Sequence, residues 1–336
     1  HRDLHSFPTR RSSDLATVEF TVENPDLWYP RGYGKQPLYE LEACLGGMTE
    51  RRLIGLRTVE LSNRPDAVGR EFVVKVNGIP VFAKGADWIP CDALPSRQTP
   101  ERYRSLIDAA FQANMNMLRV WGGGQYETDL FYELCDRCGI MVWQDMMLAC
   151  FLYKATENFL AELSAEAEYQ VKRLRSHASI VFWCGNNELG EGFEKDPALL
   201  DNGAWTSYRR IGDLLREVVN ANDPERVFWP SSPCNAESET EQWRDVNRGD
   251  SHFWAVWHRN QPFDEYRKIK PRFCSEFGFQ AFPALATVDA FLPPEERNIF
   301  SPVMGEHQKN IGGNTRIVGT FERYFRFPKR FEDFIY

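Results

Sequence analysis

Residues 179–191 read SIVFWCGNNELGE, and this segment combines a fold signal with a functional one. Its first part, Ser179 to Cys184, is a short apolar run with β-branched and aromatic side chains, which predicts one buried strand. The run stops at Gly185, and two amides and the carboxylate of Glu188 follow. Because α/β barrels place their reactive groups where parallel strands end, we interpret Glu188 as a candidate catalytic acid.

The composition is typical of a globular protein and excludes several classes of partner. The chain has 336 residues, of which 43% are apolar and 26% charged, enough for one large α/β barrel or for two to three smaller domains. A formal net charge of −8 argues against nucleic acid or an anionic membrane as a partner. No apolar run approaches the ~18–20 residues that span a bilayer.

Eight cysteines are spread through largely hydrophobic surroundings. This pattern favours free thiols in a reducing compartment such as the cytoplasm over a disulfide framework. A periplasmic or lysosomal location stays open as the alternative, because a signal peptide could precede the sequence.

The first 66 residues divide into two parts. Residues 1–15, HRDLHSFPTRRSSDL, match nothing that follows and read as a translated sequencing adapter, with a basic tail as the alternative. Residues 16–66 alternate apolar and polar side chains, as in ATVEFTVE (16–23) and LYELEACL (38–45), which predicts antiparallel strands. About four strands fit here, fewer than the roughly seven of an immunoglobulin-like sandwich, so we expect part of such a β-sandwich.

From residue 67 to 336 the pattern changes to strands that alternate with helices, which is typical of a parallel sheet with helical crossovers. We count seven such strands and therefore predict an α/β fold, a (β/α)₈ TIM barrel truncated before its eighth strand. The seven strand segments are VFAKGADWIP (81–90), NMLRVWGGG (116–124), IMVWQDMM (140–147), SIVFWCGNNE (179–188), RVFWPSSP (226–233), DSHFWAVWH (250–258) and RFCSEFGFQ (272–280).

A second glutamate follows the same rule as the first. Glu188 comes after the fourth predicted strand and Glu276 ends the seventh, so both are expected at the same mouth of the barrel. A single glutamate is usually a solvated residue or an ion-pair partner. Two that face each other suit glycoside hydrolysis, in which one carboxyl donates a proton and the other attacks the anomeric carbon. Mutual repulsion and burial would separate their pKa values and so assign the two roles.

Several motifs together resemble the β-mannosidases of glycoside hydrolase family 2. The resemblance extends over residues 16–336 and implies a glycoside hydrolase without cofactor or metal. It implies a retaining exo-β-mannosidase that removes terminal β-D-mannose by double displacement through a covalent glycosyl-enzyme intermediate. The motifs are WCGNNE (183–188), LRVWGGGQYE (118–127), MVWQD (141–145), KGADWIPCD (84–92) and SEFGFQAFP (275–283), and NPDLWYPRGYGKQPLYELEA (24–43) resembles the immunoglobulin-like domain that precedes the family's barrel.

The same resemblance implies roles for four residues. Glu188 would be the acid/base and Glu276 the nucleophile. Asn187 would hydrogen-bond the sugar 2-hydroxyl, a contact that strengthens in the transition state. Arg119 would lie beside the nucleophile and keep it ionised.

Aromatic residues make up 14% of the chain and suit a carbohydrate ligand, because a ring packs well on the apolar face of a sugar. Trp88, Trp121 and Trp254 fall near strand ends and are candidate substrate contacts. Trp143 and Trp183 are flanked by apolar strand residues and are interpreted as core.

Two polar residues and two departures from the family pattern complete the predicted site. His252 resembles a residue lining the family's pocket and would hydrogen-bond a carboxylate or a substrate hydroxyl, or be structural. Asp145 would bind a sugar hydroxyl or pair with Arg119. Asp87 stands where asparagine is expected, and Cys184 where serine or alanine is more usual.

Two alternative functions stay open. The first is another family 2 activity, namely β-glucuronidase, β-galactosidase or exo-glucosaminidase, which would use the same two glutamates. The second is a carbohydrate-binding barrel without turnover. The expected partner in every case is a glycan, and the aglycone and the oligomeric state are left open.

Overall fold

A computed structural model describes residues 18–190, 193, 198, 203–235 and 245–336. The predicted adapter segment, residues 1–15, lies outside the described residues. Among those residues, we find no helix whose length and hydropathy would let it cross a bilayer.

The N-terminal part of the described chain is antiparallel. Strands β1 (Tyr39–Leu45) and β2 (Met48–Ile54) form a hairpin, and β3 (Val59–Ser62), β4 (Val73–Val76) and β5 (Ile79–Pro80) form a three-stranded sheet. The predicted boundary at residue 66 falls between β3 and β4, which pair with each other. The division into a partial sandwich and a barrel stays a prediction.

One predicted strand is absent from this region. The described residues of ATVEFTVE, 18–23, form no strand, and Val18 and Phe20 are exposed. An alternating sequence forms a strand only where another strand pairs with its backbone, and none of the described strands pairs with this segment.

Seven parallel strands follow, as predicted from the strand–helix alternation. Five form one sheet in the order β10-β9-β8-β7-β6, and β11 pairs in parallel with β12. The strands are β6 (Gly85–Trp88), β7 (Met117–Val120), β8 (Met141–Asp145), β9 (Ile180–Cys184), β10 (Phe228–Trp229), β11 (Ser251–Phe253) and β12 (Cys274–Phe277). Residues 278–336, all described, add no further strand, and a cavity of about 860 Å³ separates β12 from β6. The barrel prediction, including its seven strands, is confirmed.

Within the described residues, a helix follows each barrel strand except β10, and two of these helices show how the sequence sets their ends. The first starts at Pro100, where the Thr99 hydroxyl accepts a hydrogen bond from the Arg102 N–H at 3.4 Å, and the second ends at Gly139 in the left-handed region. The helices are α1 (Pro100–Gln112), α2 (Asp129–Cys138), α3 (Glu157–Leu174), α4 (Ala204–Asn222), α5 (Ala255–His258), α6 (Glu265–Lys268), α7 (Leu285–Asp289), α8 (Pro302–His307), α9 (Gly313–Tyr324) and α10 (Phe331–Ile335), with 3₁₀ turns at Pro95–Arg97 and Pro294–Glu296. The segment after β12 contains the last four of these helices, α7 to α10.

The three-stranded sheet β3–β4–β5 covers one end of the barrel interior. Phe72, next to β4, packs against Trp143 and Trp229 with ring centroids 5.9 and 4.8 Å apart, and against Phe182 at 6.1 Å. All four side chains are almost fully buried. This end of the barrel interior is therefore filled with apolar side chains, which leaves the opposite, carboxyl ends of the strands to form an open polar site.

Candidate active site

A cavity of about 810 Å³ opens at the carboxyl ends of the parallel strands. Both predicted glutamates line it, together with aromatic and polar side chains from several strand ends. Among the lining residues are Asp87, Trp121, Cys150, Asn187, Glu188, His252, Trp254 and Glu276. The barrel thus brings together residues that lie far apart in the sequence.

Glu188 reaches the cavity through an unusual backbone conformation. After β9, Asn187 still pairs with Ala149 on one side and Ser232 on the other. Glu188 then adopts a φ of +56°, in the left-handed region, and its N–H donates to the Ser232 carbonyl at 2.8 Å. This conformation costs a non-glycine residue about 1–2 kcal/mol, and functional sites often contain such strain. The turn leaves the carboxylate in the cavity, with 20% of the side chain exposed.

Glu276 lies deeper, in β12, and both of its carboxylate oxygens have donors. Oε1 accepts from Arg119 Nη1 at 2.8 Å, and Oε2 accepts from the indole Nε1 of Trp254 at 3.0 Å. Burial raises the pKa of Glu276, and the charge of Glu188 adds to this effect, while His252 and Arg119 lower it; the net shift is upward. The two donors orient the carboxylate, although its ionisation is costly at this depth.

Arg119 connects the buried polar groups on the floor of the cavity. In addition to Glu276, it donates from Nη2 to Asp145 Oδ2 and to Asn187 Oδ1, both at 2.8 Å, and Nη1 lies 3.5 Å from Asp87 Oδ1. Burial alone would lower the pKa of Arg119, but the neighbouring carboxylates outweigh it and raise the pKa further. A guanidinium suits this position because its planar, forked donors reach several acceptors at once.

His252 lies between the two glutamates. Its Nδ1 is 2.7 Å from Glu188 Oε1 and 3.2 Å from Glu276 Oε2, and its Nε2 is 2.9 Å from Ser232 Oγ. Burial lowers the pKa of His252, but the hydrogen bond with Glu188 and the charge of Glu276 outweigh burial and raise it. His252 thus lies against two carboxylates, in agreement with one of the roles predicted for it.

The same three side chains offer a donor set that metals use. One ligand atom from each of Glu188, His252 and Glu276 lies within 4.8 Å of the others. Carboxylate oxygens and an imidazole nitrogen could hold a divalent cation. These atoms, however, already interact with one another at hydrogen-bonding distances, and the expectation of a metal-free enzyme stays a prediction.

The predicted tryptophans occupy different places. Trp121 and Trp254 line the cavity. Trp88 does not: it is buried on the outer face of the barrel, where its indole N–H donates to Glu127 Oε1 at 2.9 Å. Trp143 and Trp183 are fully buried core residues, as expected.

Asp145 is also removed from the cavity surface. It is fully buried, and its oxygens accept from Arg119, from Trp143 Nε1 at 2.8 Å and from the Gly122 N–H at 3.0 Å. Of the two roles considered for Asp145, the structure favours pairing with Arg119 over contact with substrate.

Sequence reasoning missed three contributors to this site. Cys150 lies with Sγ 3.6 Å from Glu188 Oε2, and burial and this carboxylate raise its pKa to about 11. Ser232 and Asp250 form hydrogen bonds behind His252. Ser232 follows the fifth barrel strand, so the rule that located the glutamates could have located it as well. Asp250 comes just before the sixth strand and falls outside that rule.

Comparison with known proteins places this geometry in context. The chain matches no protein-family model. It is 38% identical over 340 residues to β-mannosidase B of Emericella nidulans and 39% identical over 352 residues to that of Thermothelomyces thermophilus. These matches cover 96% and 97% of this chain but 40% of each relative, so the chain spans about two fifths of the length of the curated relatives it matches.

Solved structures also include a β-mannosidase that is similar to this chain. The structure of a β-D-mannosidase from Dictyoglomus thermophilum is similar with a TM-score of 0.84 and 42% identity, over 94% of this chain and 39% of that one. A β-glucuronidase from Bacteroides uniformis, with a TM-score of 0.57 and 18% identity over 81% of this chain and 33% of its own, shares the fold alone. The resemblance expected from the sequence motifs is confirmed.

Proposed function

We propose that this chain, a relative of the β-mannosidases of glycoside hydrolase family 2, carries the catalytic centre of a retaining exo-β-mannosidase. The observation that carries the proposal is the approach of Glu188 and Glu276, which present carboxylate oxygens within 4.8 Å of each other in one cavity. Retaining glycosidases hold their two carboxyl groups about 5–5.5 Å apart, whereas inverting enzymes need about 6.5–9.5 Å to admit a water molecule.

In the first half of the proposed reaction, Glu276 attacks the anomeric carbon and Glu188 donates a proton to the leaving oxygen. Arg119 and Trp254 fix the two oxygens of Glu276, so that its orientation is set before the substrate arrives. The product of this step is a glycosyl ester on Glu276, and the aglycone leaves with the proton of Glu188.

In the second half, Glu188 accepts a proton from water as the water attacks the ester. The bond between Glu276 and the sugar breaks, and the carboxylate of Glu276 is restored. Glu188 is the more exposed of the two carboxyl groups, with 20% of its side chain accessible against 8% for Glu276. This difference fits a residue that exchanges protons with water and a nucleophile that is shielded from it.

The surrounding residues support a monosaccharide as the bound group. Trp121 and Trp254 present aromatic surfaces to the cavity, which suit the C–H face of a sugar. Asn187 lines the cavity and is oriented by Arg119, as its proposed contact with the sugar 2-hydroxyl requires.

The proposal is tested by comparing hydrolysis of p-nitrophenyl β-mannoside with that of the corresponding galactoside and glucuronide, and by following the anomeric configuration of the product by NMR. We expect the mannoside to be preferred and the β-configuration to be retained. Preference for another glycoside would favour the alternative family 2 activities, and turnover of none would favour a binding barrel.

The two glutamates are tested separately. Glu276→Ala should abolish turnover but leave sugar binding, and 2-deoxy-2-fluoro-β-mannosyl fluoride should label Glu276 in the unmodified chain, as seen by mass spectrometry. Glu188→Ala should slow release of the sugar, and azide should restore turnover. The matched control is Glu127→Gln, a fully buried glutamate outside the cavity, which should keep turnover.

A further inference from the structure

A chain of hydrogen bonds runs from the candidate acid/base into the buried wall of the barrel. Glu188 Oε1 meets His252 Nδ1 at 2.7 Å, and His252 Nε2 meets Ser232 Oγ at 2.9 Å. The Ser232 hydroxyl donates in turn to Asp250 Oδ2 at 2.6 Å. The side chain of His252 is 1% exposed, and Ser232 and Asp250 are buried. Water therefore has little access to the Asp250 end of this series of hydrogen bonds.

The far end determines the direction of the hydrogen bonds. Asp250 accepts from four donors: Ser232 Oγ, Ser275 Oγ at 2.5 Å, Trp229 Nε1 at 2.9 Å and the Cys234 N–H at 3.0 Å. A carboxyl group with four donors around its two oxygens acts as an acceptor only. Three acceptors lie near the single hydroxyl hydrogen of Ser232: Asp250 Oδ2 at 2.6 Å, His252 Nε2 at 2.9 Å and Ser275 Oγ at 3.4 Å. The carboxylate oxygen is the nearest of them and a charged acceptor makes the stronger hydrogen bond, so we assign this hydrogen to Asp250.

The tautomer of His252 follows from this arrangement. Because the Ser232 hydrogen points to Asp250, Ser232 Oγ can only accept from the imidazole, so Nε2 must carry a hydrogen. Nδ1 is then the ring atom that faces both glutamates. Either Nδ1 carries a second proton, as in the imidazolium ion, or it accepts one from Glu188.

We propose that His252 and Glu188 share one titratable proton, which Ser232 and Asp250 confine to the Nδ1 side of the ring. The inference rests on the proposed role of Glu188 as acid/base and deepens it. His252 is a positioning residue in this scheme, because it acts on the proton through Glu188. The pair starts with the proton, loses it to the leaving oxygen, and regains it from the attacking water, so the protons balance over one turnover.

The charges around the ring support retention of this proton. Two carboxylates, Glu188 and Glu276, face Nδ1, and Asp250 lies behind Nε2 through Ser232, while Arg119 is the opposing cation. The pKa of His252 is raised because these carboxylates outweigh burial and the guanidinium. When the proton sits on His252, the imidazolium also lies 3.2 Å from Glu276 Oε2 and favours the ionised nucleophile.

The test compares Ser232→Ala with Ser231→Ala. Ser231 is an equally buried neighbour whose hydroxyl donates to Asn186 Oδ1 at 2.7 Å, outside this chain of hydrogen bonds. Without Ser232, the Nε2–H loses its acceptor and the pair should release its proton more easily. We expect the alkaline limb of the kcat/KM–pH profile to move down by about one pH unit in Ser232→Ala, with about a tenfold loss of kcat/KM above it. If the alkaline limb lies at the same pH in Ser232→Ala and Ser231→Ala, the proposal is overturned.

A second measurement does not depend on activity. The chain has six histidines, so ¹⁵N-histidine NMR can identify His252 by the signal lost in His252→Gln. We expect the Nε2–H form at high pH and the imidazolium at lower pH in the unmodified chain. An Nδ1–H tautomer would overturn the inference even in an active enzyme. An inactive chain with the expected tautomer would refute the proposed function and leave the proton pair standing.

Discussion

Replacing Arg119 by lysine tests how the floor of the cavity is held together. The guanidinium makes three contacts at 2.8 Å, to Glu276, Asp145 and Asn187, and 4% of it is exposed. A lysine ammonium can replace one of these contacts but lacks the fork needed for the others. At about 1.5–3 kcal/mol for each hydrogen bond to a charged group, the two lost contacts should cost about 3–6 kcal/mol in the free energy of unfolding. For a chain of this length the Tm should fall by about 4–9 °C.

The same change should alter catalysis in a defined direction. The guanidinium lowers the pKa of Glu276 against the effect of burial, so its loss from Oε1 should raise that pKa further. The acid limb of the kcat/KM–pH profile, which reports ionisation of the nucleophile, should then move to higher pH. The assay is hydrolysis of p-nitrophenyl β-mannoside between pH 4 and 8, with thermal unfolding followed by circular dichroism.

Arg226→Lys is the matched control. Arg226 is also a buried arginine, with Nη1 2.6 Å from Asp223 Oδ2 and Nε 2.9 Å from the Ile180 carbonyl, but it lies outside the cavity. This variant should lose a similar amount of stability and keep the pH profile of the unmodified chain. If Arg119→Lys leaves the acid limb unchanged, or if both variants shift it equally, the proposed role of Arg119 is refuted.

Three further changes have defined outcomes. Gly122→Ala would place a Cβ atom 2.7 Å from two backbone carbonyl oxygens and should cost about 1–3 kcal/mol in the free energy of unfolding. Gly212 lies in α4, where an added Cβ would meet no atom within 4 Å, so Gly212→Ala should gain about 0.5–1 kcal/mol. Urea denaturation measures both changes. Trp254→Phe removes the indole donor, 3.0 Å away, from Glu276 and should lower kcat/KM for the mannoside by about tenfold to a hundredfold, measured at saturating and limiting substrate. Burial raises the pKa of Asp87 to about 7, so between about pH 4 and 7 the folded chain keeps a proton that the unfolded chain releases, and stability falls as pH rises. Asparagine does not ionise, so Asp87→Asn should gain stability relative to the unmodified chain over this range, measured as the urea midpoint.

Each of these has a contrary result. Equal stability changes for the two glycine variants would mean that the loop after β8 yields to the added methyl group. An unchanged kcat/KM in Trp254→Phe would mean that the indole hydrogen bond to Glu276 has no catalytic weight. A stability difference that does not vary with pH would show that Asp87 is ionised throughout.

The seven barrel strands were predictable because their signal is local. Most of them are short apolar runs that end at polar or turn residues and precede a segment of helical periodicity, and no distant contact is needed to recognise this pattern. The failure at residues 18–23 has the opposite cause. Alternation there is as clear as in β1, but a strand also requires a partner, and partners are not encoded in the strand itself.

The side of the sheet that each residue faces was harder to predict than the strand itself. In the observed register Asp87, Arg119 and Trp143 are neighbours on adjacent strands, and Trp88 is paired one step further along with Val120. Successive side chains on a strand face opposite sides, so a polar Asp87 directed inward requires an outward Trp88. Proximity to a strand end was an insufficient criterion for substrate contact; the register of neighbouring strands was the missing information.

The balance of charge in the cavity connects the fold to the proposed chemistry. Four carboxyl groups, those of Glu188, Glu276, Asp145 and Asp87, lie near one buried guanidinium, that of Arg119, so full ionisation would leave an excess of negative charge in a region that is largely shielded from water. Such an excess favours retention of protons. His252 is well placed to carry one, since it contacts both glutamates. In the proposed mechanism, the acidic proton therefore comes from a cavity in which carboxyl groups outnumber cations, and not from an unusual property of Glu188 alone.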